Sequence, residues 1–344
     1  MHQFVARMST PRRLLTIAPR LWRCEAISAR LGIRFTHSAT PAVHPAHPKR
    51  HRIDVFRYRL APKFGKPRFN SGDEILEASE RTKIYPKEPR ALLQTSYHKI
   101  KLLPFEEQAS AAADVGASKI VRYLQNLDLD TRNEVVTSQL ADFLCWHLEA
   151  EYSQQIPRTD SAAPEFSSPV TEWLDEACSR SWQSWSSSTD YWATRVLASH
   201  VKAIMYWHMD FTSAVRIVER CNDHMHTGRA IGYLHDALTT SSLVTDPHNR
   251  SLKISEESFN RYLKIANSEG RHAVAMLHHP TAPDALPLYR LHQAAPPTIP
   301  GKLGNYHARP EQYARASELL REQGMEDEAN DMYQAWDGIN GGSA

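Results

Sequence analysis

Histidines crowd the centre of this chain, among them His200, His208, His224, His226, His235, His278 and His279, and histidine is the side chain best suited to metal ligation or proton transfer near neutral pH. His224 and His226 flank one methionine and could offer two imidazoles to a metal. On a helix, however, residues two apart face different ways, and no H-E-x-x-H pattern accompanies them. The expectation is packed or surface histidines, with no metal site. Glu326, Asp327, Glu328 and Asp331 cluster where a general acid–base pair could sit. They open a predicted helix, whose positive dipole end favours carboxylates, so they read as a solvated face. Cys145, Cys178 and Cys221 show no paired spacing, which predicts neither a disulfide framework nor a zinc knuckle. No Gly-rich phosphate loop, dinucleotide fingerprint or nucleophile elbow occurs. The sequence therefore predicts no catalytic residues and no cofactor.

A different chemistry is written between residues 49 and 69. Lys49, Arg50, Arg52, Arg57, Arg59, Lys63, Lys66 and Arg68 alternate with Phe56, Tyr58, Phe64 and Phe69. Cations release counterions from a phosphate backbone, and rings stack on unpaired bases. Pro41, Pro45, Pro48, Pro62 and Pro67 forbid a continuous helix, so the segment reads as an extended arm. Two readings stay open: a strand that binds nucleic acid or another anionic partner, and a solvated linker.

Charge is divided unevenly along the chain. Residues 1–70 hold fifteen Lys/Arg against Glu25 and Asp54, a net of +13; the whole chain is +2, which leaves −11 for residues 71–344. Within residues 1–36 the basic side chains are all arginine, from Arg7 to Arg34, with apolar residues between them and one acid. This Arg-rich, acid-poor, amphipathic start predicts a mitochondrial presequence over 1–38, cleaved near 35–40, which would remove Cys24 as well. No later stretch holds the roughly twenty apolar residues that span a bilayer, so no transmembrane segment is expected and the mature protein is placed in the matrix.

The elements that would position these residues are helices. Glycine is scarce, thirteen in all with none between Gly116 and Gly228, which disfavours turn-rich β folds and mononucleotide-binding folds. After the presequence, the reading is a basic, Pro-rich extended arm over 39–104, a helical segment over 105–153, and a linker over 154–170. A helical-hairpin domain follows over 171–279, then a Pro-rich connection over 280–310 and a C-terminal hairpin over 311–337. Residues 105–126 read as one helix, Ser255 as the N-cap of a helix ending before Gly270, and Gly324 as a helix stop. The tryptophans Trp173, Trp182, Trp185, Trp192 and Trp207 fall at helical spacing and are expected in the core. The fold class predicted is all-α: helical hairpins in an irregular α-solenoid or bundle behind the arm.

Two segments share a spacing. Tyr313, Leu319, Leu320 and Gly324 are followed by Ala329 and Tyr333; Phe259, Leu263, Ile265 and Gly270 are followed by Ala275. Here the aromatic would anchor a first helix, the glycine would end it, and the alanine would admit the second helix. A third copy aligns at Ala198, Val201, Met205, Met209 and Ala214, without its glycine. The segment YARASELLREQGMEDEANDMYQAW resembles a pentatricopeptide repeat, a helix–turn–helix unit akin to the tetratricopeptide repeat. Its two better copies are interrupted by a Pro-rich insertion, so no tandem array follows and no base-reading residues are assigned. The resemblance implies organelle RNA metabolism or a ribosome-associated role.

These readings converge on a non-catalytic mitochondrial ribonucleoprotein component, a mitoribosomal subunit or an RNA and translation factor. Its partners would be mitochondrial rRNA or mRNA and the proteins of a large assembly. The alternative is an accessory structural subunit of a respiratory or ATP-synthase complex.

Overall fold

The computed structural model describes residues 67–85, 87–155, 169–179, 191–241, 252, 254–266, 268–294, 302–303 and 306–341. The expected presequence, residues 39–66 of the arm and most of the 154–170 linker lie outside the described residues. Within them the protein is all-α apart from one short antiparallel ladder.

The chain enters through α1 (Gly72–Arg81) and α2 (Lys87–Ile100), where an extended arm as far as 104 was expected. Pro89, within the stretch expected as a Pro-rich arm, sits in the first turn of α2; an N–H there has no intrahelical partner, so losing it costs little. The helix expected over 105–126 is two, α3 (Phe105–Ala113) and α4 (Ala117–Gln125), parted at Gly116. Then come α5 (Leu129–Val135), capped by Asp128, and α6 (Ser138–Gln155). Next are α7 (Pro169–Ser179), α8 (Trp192–Trp207), α9 (Phe211–Asn222) and α10 (Gly228–Ser241). Ser255 accepts from the Ser258 N–H at 3.1 Å and opens α11 (Glu256–Ile265), as its sequence position predicts. The remainder is α12 (Glu269–Met276), α13 (Leu286–Ala294), β1 (Lys302–Leu303), β2 (Tyr306–His307), α14 (Pro310–Glu322) and α15 (Glu326–Gly341). The 280–310 segment is thus no plain extended connection: α13 and the ladder occupy much of it.

The core is built on α6 and α8, which pack along each other. From Leu140 to Glu151 every residue of α6 is buried, and in α8 all are except Arg195 and Tyr206. A helix apolar on one stripe would lie at the surface; helices enclosed on all sides must stand inside. Against this pair pack α2, α3, α4, α7, α9 and α10, so the segments expected as separate regions, 105–153 and 171–279, share one core. Trp173 and Trp192 stack there at 4.6 Å, and Trp207 is buried beside Trp146. A second apolar cluster joins α12, α13, α14 and α15 around Leu288, Tyr313, Leu320 and Met332. Its hairpin, α14 with α15, matches the expectation. Gly324 has φ +79°, its N–H reaches the Arg321 carbonyl at 3.0 Å, and the Met325 N–H reaches the Leu320 carbonyl at 2.9 Å. Those two bonds close a helix end that L-residues resist. Ala329 is fully buried, close enough for its carbonyl to accept from Ser317 Oγ at 2.7 Å.

The 259–279 unit is different. α11 packs on α9, while α12 packs on α13 and α10, so consecutive helices do not form the expected hairpin. Gly270 does not end α11; it lies inside α12, where a Cβ would stand 2.5 Å from the Cβ of Tyr306. Its role is close approach, not a left-handed turn. The third copy does turn as a hairpin, from α8 into α9, with Met209 at φ +50° in the glycine's place.

Candidate functional site

Among the described residues, the charged side chains buried in the core, Arg132, Asp142, Glu149, Glu151 and Lys202, each meet a partner. Between α6 and α8, Lys202 Nζ sits 3.0 Å from both carboxylate oxygens of Asp142, and Ser199 Oγ donates to Asp142 at 2.6 Å. The same ammonium lies 4.2 Å from the Tyr233 ring centroid. Two turns along α6, the Glu149 carboxylate is fully buried, with Oε1 3.1 Å from His200 Nδ1 and Oε2 3.2 Å from His208 Nε2. Burial alone would push this carboxyl up, yet the two imidazoles hold it down to about 2. His147 donates from Nδ1 to the Phe143 carbonyl at 2.7 Å, and burial lowers its pKa to about 4, so it stays neutral.

The short helix α4 is held at both ends by charges from other helices. Its cap position, Gly116, has no side chain, and the Glu151 carboxylate of α6 accepts from the Ala117 N–H and, at 3.2 Å, from the Ser118 N–H. At the other end Arg132 of α5 donates to the carbonyls of Leu124, Gln125 and Leu127 at 3.0, 2.6 and 3.1 Å, and to Glu176 of α7 at 3.1 Å. Anion at the N-terminus and cation at the C-terminus both oppose the helix dipole favourably.

A third cluster joins the two apolar cores. His235 of α10 lies 2.8 Å from the Tyr262 hydroxyl through Nδ1 and 2.8 Å from the Tyr306 hydroxyl through Nε2. Burial first, then the nearby Arg271 and Arg309, lower His235 to about 3, so the ring is neutral and accepts from one tyrosine while donating to the other. Burial raises both phenols, Tyr262 and Tyr306. Tyr306 continues to the Gln312 amide, which also accepts from the Arg309 N–H at 2.9 Å.

These clusters could shuttle protons, but their reactive atoms face one another. Glu149, His147 and His200 are wholly buried and His235 is 3% exposed, so the arrangement suits structural pairing, not contact with a substrate. His224 and His226 are exposed in the α9–α10 turn, and His279 closes a turn by accepting from the Ala282 N–H at 3.0 Å. Among the described residues, no group of three or more His, Cys, Asp or Glu is arranged to hold a metal ion.

Of the residues expected to contact RNA, Lys49, Arg50, Arg52, Phe56, Arg57, Tyr58, Arg59, Lys63, Phe64 and Lys66 lie outside the described residues. Arg68 and Phe69 lie within them. Arg68 pairs with Glu88 at 3.2 Å and lies over the Phe69 ring, while Phe69 is only 8% exposed and belongs to the core. Phe69 is therefore no base-stacking ring. Ending the arm on an aromatic hid this, because a ring anchoring a helix and a ring awaiting a base look alike in sequence. The Asp142–Lys202 and Glu149–His200 pairings were not foreseen, nor was the approach of Cys178 Sγ to Cys221 Sγ at 3.8 Å, since each joins residues more than forty apart. Their signal was charge placed inside a long apolar run of α6, where an unpaired carboxylate would be untenable.

Comparison with models of known families, with curated proteins and with solved structures gives no match to this chain. Among the described residues, no helix is long and apolar enough to cross a membrane.

Proposed function

We propose that the chain is a non-catalytic mitochondrial ribonucleoprotein component, a mitoribosomal subunit or a factor for mitochondrial RNA and translation. In this reading the basic arm lies along RNA, and the helical body, an irregular bundle around α6 and α8, packs on protein neighbours. The observation that carries it is the division of charge, +13 over residues 1–70 against −11 over the rest. An acidic body repels a bare polyanion, so RNA contact is confined to the arm. Removing residues 1–38 takes seven arginines and leaves eight Lys/Arg against Asp54 over 39–70. The α14–α15 hairpin, the unit that resembles a pentatricopeptide repeat, serves protein contact, because a lone repeat cannot read a base sequence. Closure of the buried ion pairs to solvent supports a body that holds contacts and performs no reaction.

The test is RNA binding by the purified protein at rising salt, with sedimentation from mitochondrial lysate beside it. Binding should weaken with a log–log slope of about −0.7 per phosphate contacted. Replacing Arg57, Arg59, Lys63 and Lys66 by Glu should leave the melting curve unchanged, abolish RNA binding and release the protein from the ribonucleoprotein fraction. Salt-independent binding, or co-migration of the intact protein with an inner-membrane complex, would overturn the reading.

A further inference from the structure

Cys178 and Cys221 stand on neighbouring helices, α7 and α9, with their sulfurs 3.8 Å apart and no disulfide between them. Cys178 is half-buried, within reach of a small oxidant, whereas Cys221 is 2% exposed. One member of the pair is therefore accessible and the other is held behind it. Asp175 and Arg220, paired at 2.6 Å across the same two helices, fix the approach of α7 to α9 beside the sulfurs. We propose that Cys178 and Cys221 are a modification site, closing to a reversible disulfide between α7 and α9 when the protein meets a hydroperoxide.

The sulfur–sulfur contact separates the roles of the two thiols. Once Cys178 is ionised, only the Cys221 S–H can donate across the contact, which favours the Cys178 thiolate and lowers that pKa; the same contact, with burial added, raises Cys221. The thiolate is the nucleophile, so Cys178 reacts first. Its sulfur attacks one peroxide oxygen, the O–O bond breaks, and water (or the alcohol) departs after taking up a proton, leaving Cys178 as a sulfenic acid. The Cys221 sulfur then attacks the sulfenic sulfur; the S–S bond forms, the S–O bond breaks, and hydroxide leaves as water with the Cys221 proton. Two thiols are oxidised by two electrons, and one hydroperoxide is reduced. A thiol reductant reverses the link by exchange. A bonded pair needs its sulfurs to close from 3.8 Å to about 2 Å. The product would tie α7 covalently to the core.

The experiment uses the full chain, reduced and then treated with hydrogen peroxide, followed by alkylation in denaturant and peptide mapping. The expected result is loss of two of the four thiols, a mass lower by two hydrogens, and one linked peptide joining Cys178 to Cys221, all reversed by dithiothreitol. Cys178→Ser should abolish the link and leave Cys221 alkylatable. Cys221→Ser should stop oxidation at a Cys178 sulfenic acid that dimedone captures. Should either serine variant fail to fold, phenylarsine oxide on the wild type decides: one arsenical per chain bridging these two sulfurs supports the proposal, and no uptake overturns it. Sulfinic acid at Cys178 without a link, a disulfide through Cys24 or Cys145, or a link between two chains would each overturn it.

Discussion

Glu149 keeps its charge at a position where burial alone would remove it, and this ties stability to pH in a definite direction. Its carboxyl is held at about 2 in the fold against 4.5 in an open chain, so below pH 4.5 the unfolded chain takes up a proton that the folded one refuses. The stability this residue supplies is present above pH 4.5 and is lost as pH falls toward 2; the shift corresponds to about 3 kcal/mol. His147 acts in the same direction over a higher window. Folded, it stays neutral down to about pH 4, while the unfolded chain gains the proton below 6.5. His235, neutral to about pH 3, adds to that limb. Denaturant titrations should thus show stability falling from pH 6.5 downward in two overlapping limbs. Glu149→Gln should cost about 3 kcal/mol at pH 7 and flatten the limb below pH 4.5, because the amide no longer titrates. An acid limb unchanged in that variant would mean that the carboxylate is not the group responsible.

Helix ends show which parts of the architecture could be read from the chain and which could not. The Ser255 cap and the Gly324 stop were legible because their chemistry is local: an oxygen within three residues, or a backbone angle at one residue. Gly270 was misread because sequence does not distinguish a glycine needed for positive φ from one needed for the approach of Tyr306, 36 positions on. α2 and α13 were missed because Pro89 and Pro287 look like breaks, yet each sits near a helix start where its missing N–H is harmless. The capping of α4 by Glu151 and Arg132 was invisible for a third reason, since both caps arrive from other helices. Turn strain yields a sharper test. Met209 adopts φ +50° where the repeat pattern would place glycine, and an L-residue there costs about 1–2 kcal/mol. Met209→Gly should leave the α8–α9 hairpin as stable as wild type or firmer by up to about 1 kcal/mol. Gly324→Val should destabilise the α14–α15 hairpin by at least about 1–2 kcal/mol, since a branched side chain resists φ +79°. Melting curves of the two variants should move in opposite directions, or only the second should move. Equal losses would show that backbone angle is not what these turns select.

Among the described residues, the two apolar cores meet along the short helix α12 and at a hydrogen-bonded cluster. α12 gives Ala275 to the first core and Ala273 and Val274 to the second. α12 has only eight residues, and the polar cluster adds hydrogen bonds between the same two cores. His235 reaches Tyr262 within the first core and Tyr306 beside the second, and Arg309 pairs with Asp236 of the same α10. A body that holds contacts for a tethered arm benefits from this coupling, since load on one end is then resisted by both cores. His235→Phe would leave the hydroxyl of fully buried Tyr262 facing an apolar ring, while the Tyr306 hydroxyl keeps the Gln312 amide. Unmet buried hydroxyls cost about 1–3 kcal/mol each, whereas replacing all partners with apolar groups of similar shape costs far less. The single variant should therefore lose more stability than the triple variant with Tyr262→Phe and Tyr306→Phe. Hydrogen exchange should locate the loss: in the single variant, amides of α14 and α15 exchange well before those of α8, while in wild type the two groups open together. Additive losses across the three substitutions, or α8 and α15 opening together in His235→Phe, would mean that the cores are joined by apolar packing along α12 alone.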